Sequence, residues 1–230
     1  MNTTDIIITG SGRGIGLELV KIFLEKGWRV LALSRNIEKL VELQKKNQHL
    51  FSFSIDISKA GFEKQLIQYV ETNQFKPIVV INNAGHLTAK PALELTESDF
   101  DALFAVNVKA PFFLLKAIYP MLQSGSHVVN IGSMGGYQGS VKFSGLSLYS
   151  ASKGALAVLT ECLAEEWSSS GIKVNCLALG AAQTEMLAEA FPGYKAPVSA
   201  AEMAGFITEF AINGHHFMNG KILPVSVSTP

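Results

Sequence analysis

Short apolar runs alternate with longer stretches of helical periodicity along the whole chain. The first run, Asp5–Thr9 (DIIIT), is β-branched and stops at glycines. Similar runs at Arg29–Leu33, Leu50–Ile55, Ile78–Asn82, His127–Ile131, Lys173–Leu179 and Lys221–Val225 bring the predicted strands to seven. Between them, Ile15–Lys26 is amphipathic, with Gly27 as its stop. Ile37–Asn47 and Gly61–Thr72 read as two further helices. Glu97–Leu122 is a long helical stretch, and Pro111 within it predicts a bend or break. Tyr149–Trp167 is a helix rich in Ala, Leu and Glu. Strands alternating with helices predict an α/β protein with right-handed crossovers and a parallel sheet covered on both faces. The strands are apolar on both sides, as burial between two helix layers requires.

Composition narrows the class. The 230 residues carry 19 basic and 19 acidic side chains, so no cationic excess is available for a nucleic-acid backbone or an anionic membrane surface. Hydrophobic residues make up 48%, enough to bury a core. No apolar run in the sequence approaches the roughly 18 residues of a membrane span. Cys162 and Cys176 belong to no CxxC or Cys/His cluster, so no metal is expected. They read as buried thiols of a reducing compartment, and the expected location is cytoplasmic. No linker or repeat divides the chain, so one domain over 1–230 is expected.

Thr9-Gly-Ser-Gly-Arg-Gly-Ile-Gly16 joins the first strand to the first helix. A turn in that place aims backbone N–H groups and a helix N-terminus at a pyrophosphate. Gly10, Gly14 and Gly16 follow GxxxGxG; the commoner GxGxxG fails at Ile15. Taken alone, the segment also fits a glycine-rich turn without a ligand. The second strand ends Leu33-Ser34-Arg35-Asn36, with no acid to hold a ribose 2′-hydroxyl. Arg35 there and Arg13 in the loop instead suit a 2′-phosphate, which predicts NADP(H) over NAD(H). A single Arg35 read by itself is more commonly a solvated surface charge.

Tyr149 and Lys153 are four positions apart and share one helix face. A nearby ammonium stabilises a phenolate, so Lys153 is expected to lower the Tyr149 pKa toward a working proton shuttle. With this pair, the chain resembles the short-chain dehydrogenase/reductase family in its compact single-domain branch. The resemblance rests on Thr9–Gly16, Asp56-Ile57, Asn82-Asn-Ala-Gly85, Asn107 in Ala-Val-Asn-Val, Ser133 after Val-Val-Asn-Ile-Gly, and Tyr149-Ser-Ala-Ser-Lys153. It runs from Ile6 to about Thr184 and weakly on to Val225. It implies a Rossmann-type doubly wound sheet, order 3-2-1-4-5-6-7, and hydride transfer between a carbonyl and an alcohol.

The resemblance also implies roles. Tyr149 would be the general acid/base, Ser133 would orient the substrate oxygen, and Lys153 would hold the nicotinamide ribose. Asn107 would support a proton-relaying water. Gly10, Ser11, Gly12, Arg13, Gly14, Ile15 and Gly16 would hold the pyrophosphate side of the cofactor, with Ser34 and Arg35 at its 2′ corner. Asp56, Ile57, Asn83, Ala84 and Gly85 would line the adenosine. Gly180, Ala182 and Thr184 would face the nicotinamide. Homodimers or homotetramers through 97–122 and 149–167 are implied.

Departures from the family pattern carry their own expectations. Ser133 and Tyr149 are 16 apart, longer than usual, and Ser140, Ser144 and Ser147 fall in the added loop. Leu179-Gly180 replaces the usual Pro-Gly, which predicts a looser turn. Only 35 residues separate Thr184 from Gly220, which predicts a short lid around 185–212 and an open pocket. Met134, Tyr137, Phe143 and Phe191 are expected to make that pocket apolar. His86 reads as a surface residue, with substrate contact as the alternative, and His215 and His216 as unrelated to any metal. A catalytically weak, cofactor-binding regulatory protein of the same fold is the alternative reading.

Overall fold

The structure, a computed structural model, describes residues 4–227. Its elements are β1 (Asp5–Thr9), α1 (Gly14–Glu25), β2 (Arg29–Ser34), α2 (Glu38–Gln44), β3 (Leu50–Ser54), α3 (Phe62–Thr72), β4 (Pro77–Asn82), α4 (Glu97–Phe104), α5 (Ala110–Ile118), β5 (His127–Ser133), α6 (Ser147–Glu166), β6 (Lys173–Leu179), β7 (Ala182–Gln183), α7 (Glu185–Ala190), β8 (Val198–Ser199), α8 (Ala200–Asn213) and β9 (Ile222–Val225). Seven strands form one parallel sheet, ordered β3-β2-β1-β4-β5-β6-β9. This is the expected Rossmann-type order. The seventh predicted strand is β9, because β7 and β8 pair only with each other.

Strand alternation divides the core into two layers. Ile6, Ile8, Val30, Ala32, Ile81 and Val129 pack with α1 and α8 residues such as Leu19, Phe23, Ile207 and Phe210. Ile7, Leu31, Leu33, Val80 and Val128 face the other way, onto Leu66, Leu114, Leu115 and Leu163 of α3, α5 and α6. Each such fully buried aliphatic side chain stabilises the fold by roughly 1.5–3 kcal/mol. One buried polar chain crosses the second layer. Asn82 Nδ2 donates to Asn130 Oδ1 (2.8 Å), and Asn130 Nδ2 to Thr160 Oγ1 (2.9 Å), tying β4, β5 and α6.

Pro111 does not break its helix. The helix runs on from Glu97 to Met121, and the turn before Pro111 is a π-helical segment, Ala105–Lys109. Ala110 N–H there donates to Ala105, five residues back. Pro111 has no N–H for the carbonyl four residues before it, that of Asn107, so the ladder shifts register there. By length and mean hydropathy (1.4) this helix would suffice to cross a bilayer, contrary to the sequence expectation. Yet Leu103, Leu114, Leu115 and Ile118 are fully buried within the protein, as in a core helix.

The expected lid is also shorter than 185–212. Met203, Ala204, Ile207 and Ala211 of α8 are buried against the sheet and α1, so α8 belongs to the core layer. A capping box starts it: Ser199 Oγ accepts from Glu202 N–H while the Glu202 carboxylate accepts from Ser199 N–H (2.9 Å). That Ser-x-x-Glu signal is legible in the sequence. Only α7 and the segment up to β8 remain beside the cleft. The turn after β6 is not loosened by Leu179. Leu179 is buried, paired with both Ser133 and Val225, and Gly180 N–H donates to Val225 O at 2.8 Å.

Candidate active site

Strand order reverses between β1 and β4, and a cavity of about 1070 Å³ opens at the carboxyl ends of the strands there. The reversal leaves a crevice that no crossover fills. Two loops form its floor. Asn83 Nδ2 donates to the carbonyls of Thr9 (3.0 Å) and Gly10 (3.1 Å), and Ala84 N–H to Thr9 Oγ1 (3.0 Å). Asn83 therefore stitches the glycine loop to β4.

The glycines are required by contact. Gly10 has φ +66°, and a β-carbon on it would come 2.7 Å from Ala84 Cα. One on Gly16 would strike the Gly10 carbonyl. Helix α1 can thus begin directly behind the loop, with its N-terminus turned to the cavity. Gly10, Gly12, Arg13, Gly14, Ile15 and Gly16 all line it. Ser11 does not: it is fully buried and donates through both N–H and Oγ to the Leu33 carbonyl (3.2 and 3.0 Å). Its part is to hold the loop against β2.

Ser34, Arg35, Asp56, Ile57, Ala84 and Gly85 line the next stretch of wall. Burial works to raise the Asp56 pKa, but hydrogen bonds from Ser58 (2.7 and 3.0 Å) and the charge of Arg35 outweigh it, and the net shift is downward. Gly180, Ala182 and Thr184 close the far side. Thr184 Oγ1 also caps α7, accepting from Leu187 N–H at 3.2 Å.

Ser133, Tyr149 and Lys153 meet at the inner end. Ser133 Oγ accepts from Gly135 N–H (3.2 Å), which leaves its own proton to donate. Lys153 Nζ is buried, donates to the Ile131 carbonyl at 2.8 Å, and lies 6.0 Å from the Tyr149 ring centre. Burial pulls the Lys153 pKa down to about 8, against the pull of Cys176. Burial also raises the Tyr149 pKa, while the hydrogen-bonding Ser133 side chain opposes that rise. The expected acidification of Tyr149 by Lys153 is therefore not a property of this arrangement, because desolvation of the phenolate dominates.

Asn107 sits one layer behind this wall. Its side chain is fully buried, with both Nδ2 protons donated and one bond accepted at Oδ1. Nδ2 donates to His86 O and Ser152 Oγ (both 2.9 Å), and Oδ1 accepts from His86 N–H (2.8 Å). Asn107 is a clamp on the backbone beside Lys153. Ser152 completes it by donating to the Tyr149 carbonyl (2.7 Å). Neither Ser152 nor the Ile131 carbonyl was singled out from the sequence; a serine inside the Tyr-Lys segment is the one signal for the former. His86 is half-buried at the cavity wall rather than on the open surface, and burial lowers its pKa.

Met134, Phe143 and Phe191 line the outer cavity together with Leu87, Leu146 and Tyr194, whereas Tyr137 does not. Ser140 is engaged with the carbonyls of Met134 and Tyr137. Among the described residues no group of His, Cys, Asp and Glu could hold a metal ion. The glycine cradle, the paired hydroxyls and the buried lysine fit a nicotinamide dinucleotide.

Known proteins share this fold and its family profile. The sequence profile of the short chain dehydrogenase family matches residues 4–195. An oxidoreductase of Botryotinia fuckeliana is 33% identical over 185 residues, covering 77% of this chain and 65% of that protein. The matched part is thus somewhat under two thirds of that relative. A 4-hydroxyisoleucine dehydrogenase variant complexed with NADH and succinate superposes with a TM-score of 0.89 at 26% identity, over 98% of both chains. A protein called ElxO, with NADP bound, superposes with a TM-score of 0.85 at 25% identity, over 97% of both chains.

Proposed function

The chain belongs to the short-chain dehydrogenase/reductase family, and from that premise we propose that it is an NADP(H)-dependent oxidoreductase interconverting a carbonyl and an alcohol. The observation that carries this reading is the convergence of Ser133, Tyr149 and Lys153 at the inner end of a cavity whose other end is the glycine cradle. The nicotinamide cofactor, when bound, supplies or accepts the hydride.

The residues of the chain do the rest. Ser133 donates a hydrogen bond to the carbonyl oxygen and fixes it beside Tyr149. Tyr149 passes its hydroxyl proton to that oxygen as negative charge develops, and takes it back in the oxidative direction. Lys153 holds the ribose hydroxyls, and its charge then replaces the solvation that burial removes from the phenolate. Asn107 and Ser152 keep the helix carrying Tyr149 and Lys153 in register with the wall. The outer wall of Leu87, Met134, Phe143 and Phe191 fits an apolar substituent on the substrate.

NADP(H) preference is supported by Arg13 and Arg35 at the adenosine end and by the absence of an acid following β2 at Ser34-Arg35-Asn36. Neighbours of this fold hold NADH in one case and NADP in another. A homo-oligomer is supported by Phe100, Phe112 and Val158, exposed on α4, α5 and α6. Cys162 is exposed, against the expected burial, and Cys176 is buried; both are free, in keeping with a reducing, cytoplasmic setting.

The test is a panel of aldehydes, ketones and diketones followed at the NADPH absorbance, with Tyr149→Phe run in parallel. Turnover lost about 10²–10⁴-fold in the variant supports the assignment. Turnover that survives removes Tyr149 as the acid. Tight NADPH binding with no turnover on any substrate favours the regulatory alternative.

A further inference from the structure

An even balance of charge predicts that acids compensating Arg13, Arg35 and Lys153 lie away from the cleft. The structure brings two of them in. Helix α7 abuts the glycine loop: a β-carbon on Gly14 would lie 3.4 Å from Thr184 Cγ2 and 3.5 Å from Glu185 Oε2. Glu189 on α7 takes Arg13 through two contacts, Nη1–Oε1 at 2.6 Å and Nη2–Oε2 at 3.3 Å. One turn earlier, Glu185 Oε1 lies 3.8 Å from Lys39 Nζ of α2. Glu185 adds its field at Arg13 as well. Two cations of the adenosine end therefore already face carboxylates from one short helix. The Arg13 and Glu189 side chains are 50% and 62% exposed, so water and a second anion can reach the pair.

We propose that Glu189 is a cofactor-selectivity residue: it competes with a 2′-phosphate for Arg13, and the exchange releases α7 from the glycine loop. The inference rests on the NADP(H) reading, since only a 2′-phosphorylated cofactor brings a second anion to this corner. A phosphate monoester carries about 1.5–2 negative charges near neutral pH against one for a carboxylate, and it matches the guanidinium fork equally well. It therefore displaces Glu189, whereas NAD(H) leaves the latch closed. The displaced carboxylate, left near a dianion, pushes α7 away. Glu189 thus weakens NADP(H) binding by the strength of its own ion pair and couples the lid to the phosphate on the ribose.

The test compares wild type with Glu189→Gln, an exposed and isosteric change. NADPH and NADH, and the fragments adenosine 2′,5′-bisphosphate and 5′-AMP, are titrated by fluorescence and calorimetry. Amide exchange over 185–190 is followed in the wild type with each fragment. The variant is expected to bind NADPH and the bisphosphate about two- to fivefold more tightly, as loss of an exposed ion pair permits, with NADH and 5′-AMP unchanged. In the wild type the bisphosphate speeds exchange across α7 and 5′-AMP does not. Equal changes for both ligand pairs, or none, overturn the latch. A wild type that prefers NADH overturns the NADP(H) reading; a selective gain for NADPH in the variant would still sustain the latch.

Discussion

Lys153 Nζ donates to the backbone carbonyl of Ile131 at 2.8 Å, inside the protein and at the inner end of the cavity. A helix side chain is thus tied to the strand that ends in Ser133. The tie positions an amine whose charge costs stability, because burial pulls its pKa from 10.5 down to about 8.

That shift sets a pH dependence. Between about pH 8 and 10.5 the unfolded chain binds the Lys153 proton and the folded chain does not. The penalty is present in full below that window and is removed as pH rises through it. It amounts to about 3 kcal/mol. Lys153→Met should therefore be more stable than wild type at pH 7 by about 1–2 kcal/mol, after loss of the Ile131 hydrogen bond. The advantage should fade toward pH 10. Urea unfolding of both proteins at pH 7 and 10 measures it, and equal differences at the two values contradict it.

Asn107 is a buried clamp with three hydrogen bonds to the chain, and its removal should show in stability before it shows in chemistry. Asn107→Ala strips partners from His86 N–H, His86 O and Ser152 Oγ. A loss of about 3 kcal/mol is expected, read as a lowered unfolding midpoint. If the variant keeps its stability and loses only turnover, the amide has a direct part in catalysis.

The glycine loop gives a contrast between two alanines. Gly16→Ala drives a methyl group into the Gly10 carbonyl and should destabilise by about 1–3 kcal/mol, with NADPH binding impaired. Gly205→Ala, in α8 with open space around it, should stabilise by about 0.5–1 kcal/mol and leave binding alone. Thermal unfolding and NADPH titration of both variants decide the matter.

Val158 is 58% exposed on α6, and the rings of Phe100 and Phe112 are exposed on the long helix of α4 and α5. An apolar face of this kind is costly to leave open. Val158→Arg should lower the solution mass toward the monomer in analytical ultracentrifugation while the circular dichroism stays unchanged. An unaltered mass places the subunit contact elsewhere.

The sequence by itself determined the elements and their order. Apolar runs such as DIIIT at β1 and the period of α1 were sufficient, because burial between two helix layers leaves no other pattern. Glycine spacing placed the loop, and the Tyr149–Lys153 interval placed two groups on one face, since both are local consequences of backbone geometry. What only the tertiary structure decided is which groups meet across long separations. Arg13 and Glu189 are 176 residues apart, and Asn107 and Ser152 are 45 apart. Pro111 likewise predicted a bend or break; the helix stays continuous through it, with Leu114 and Ile118 buried and a π-helical segment over Ala105–Lys109. The pKa of Tyr149 depends on desolvation by surroundings that no local spacing encodes. Local periodicity records what each segment buries; charge pairing and solvation depend on where the other segments come to rest.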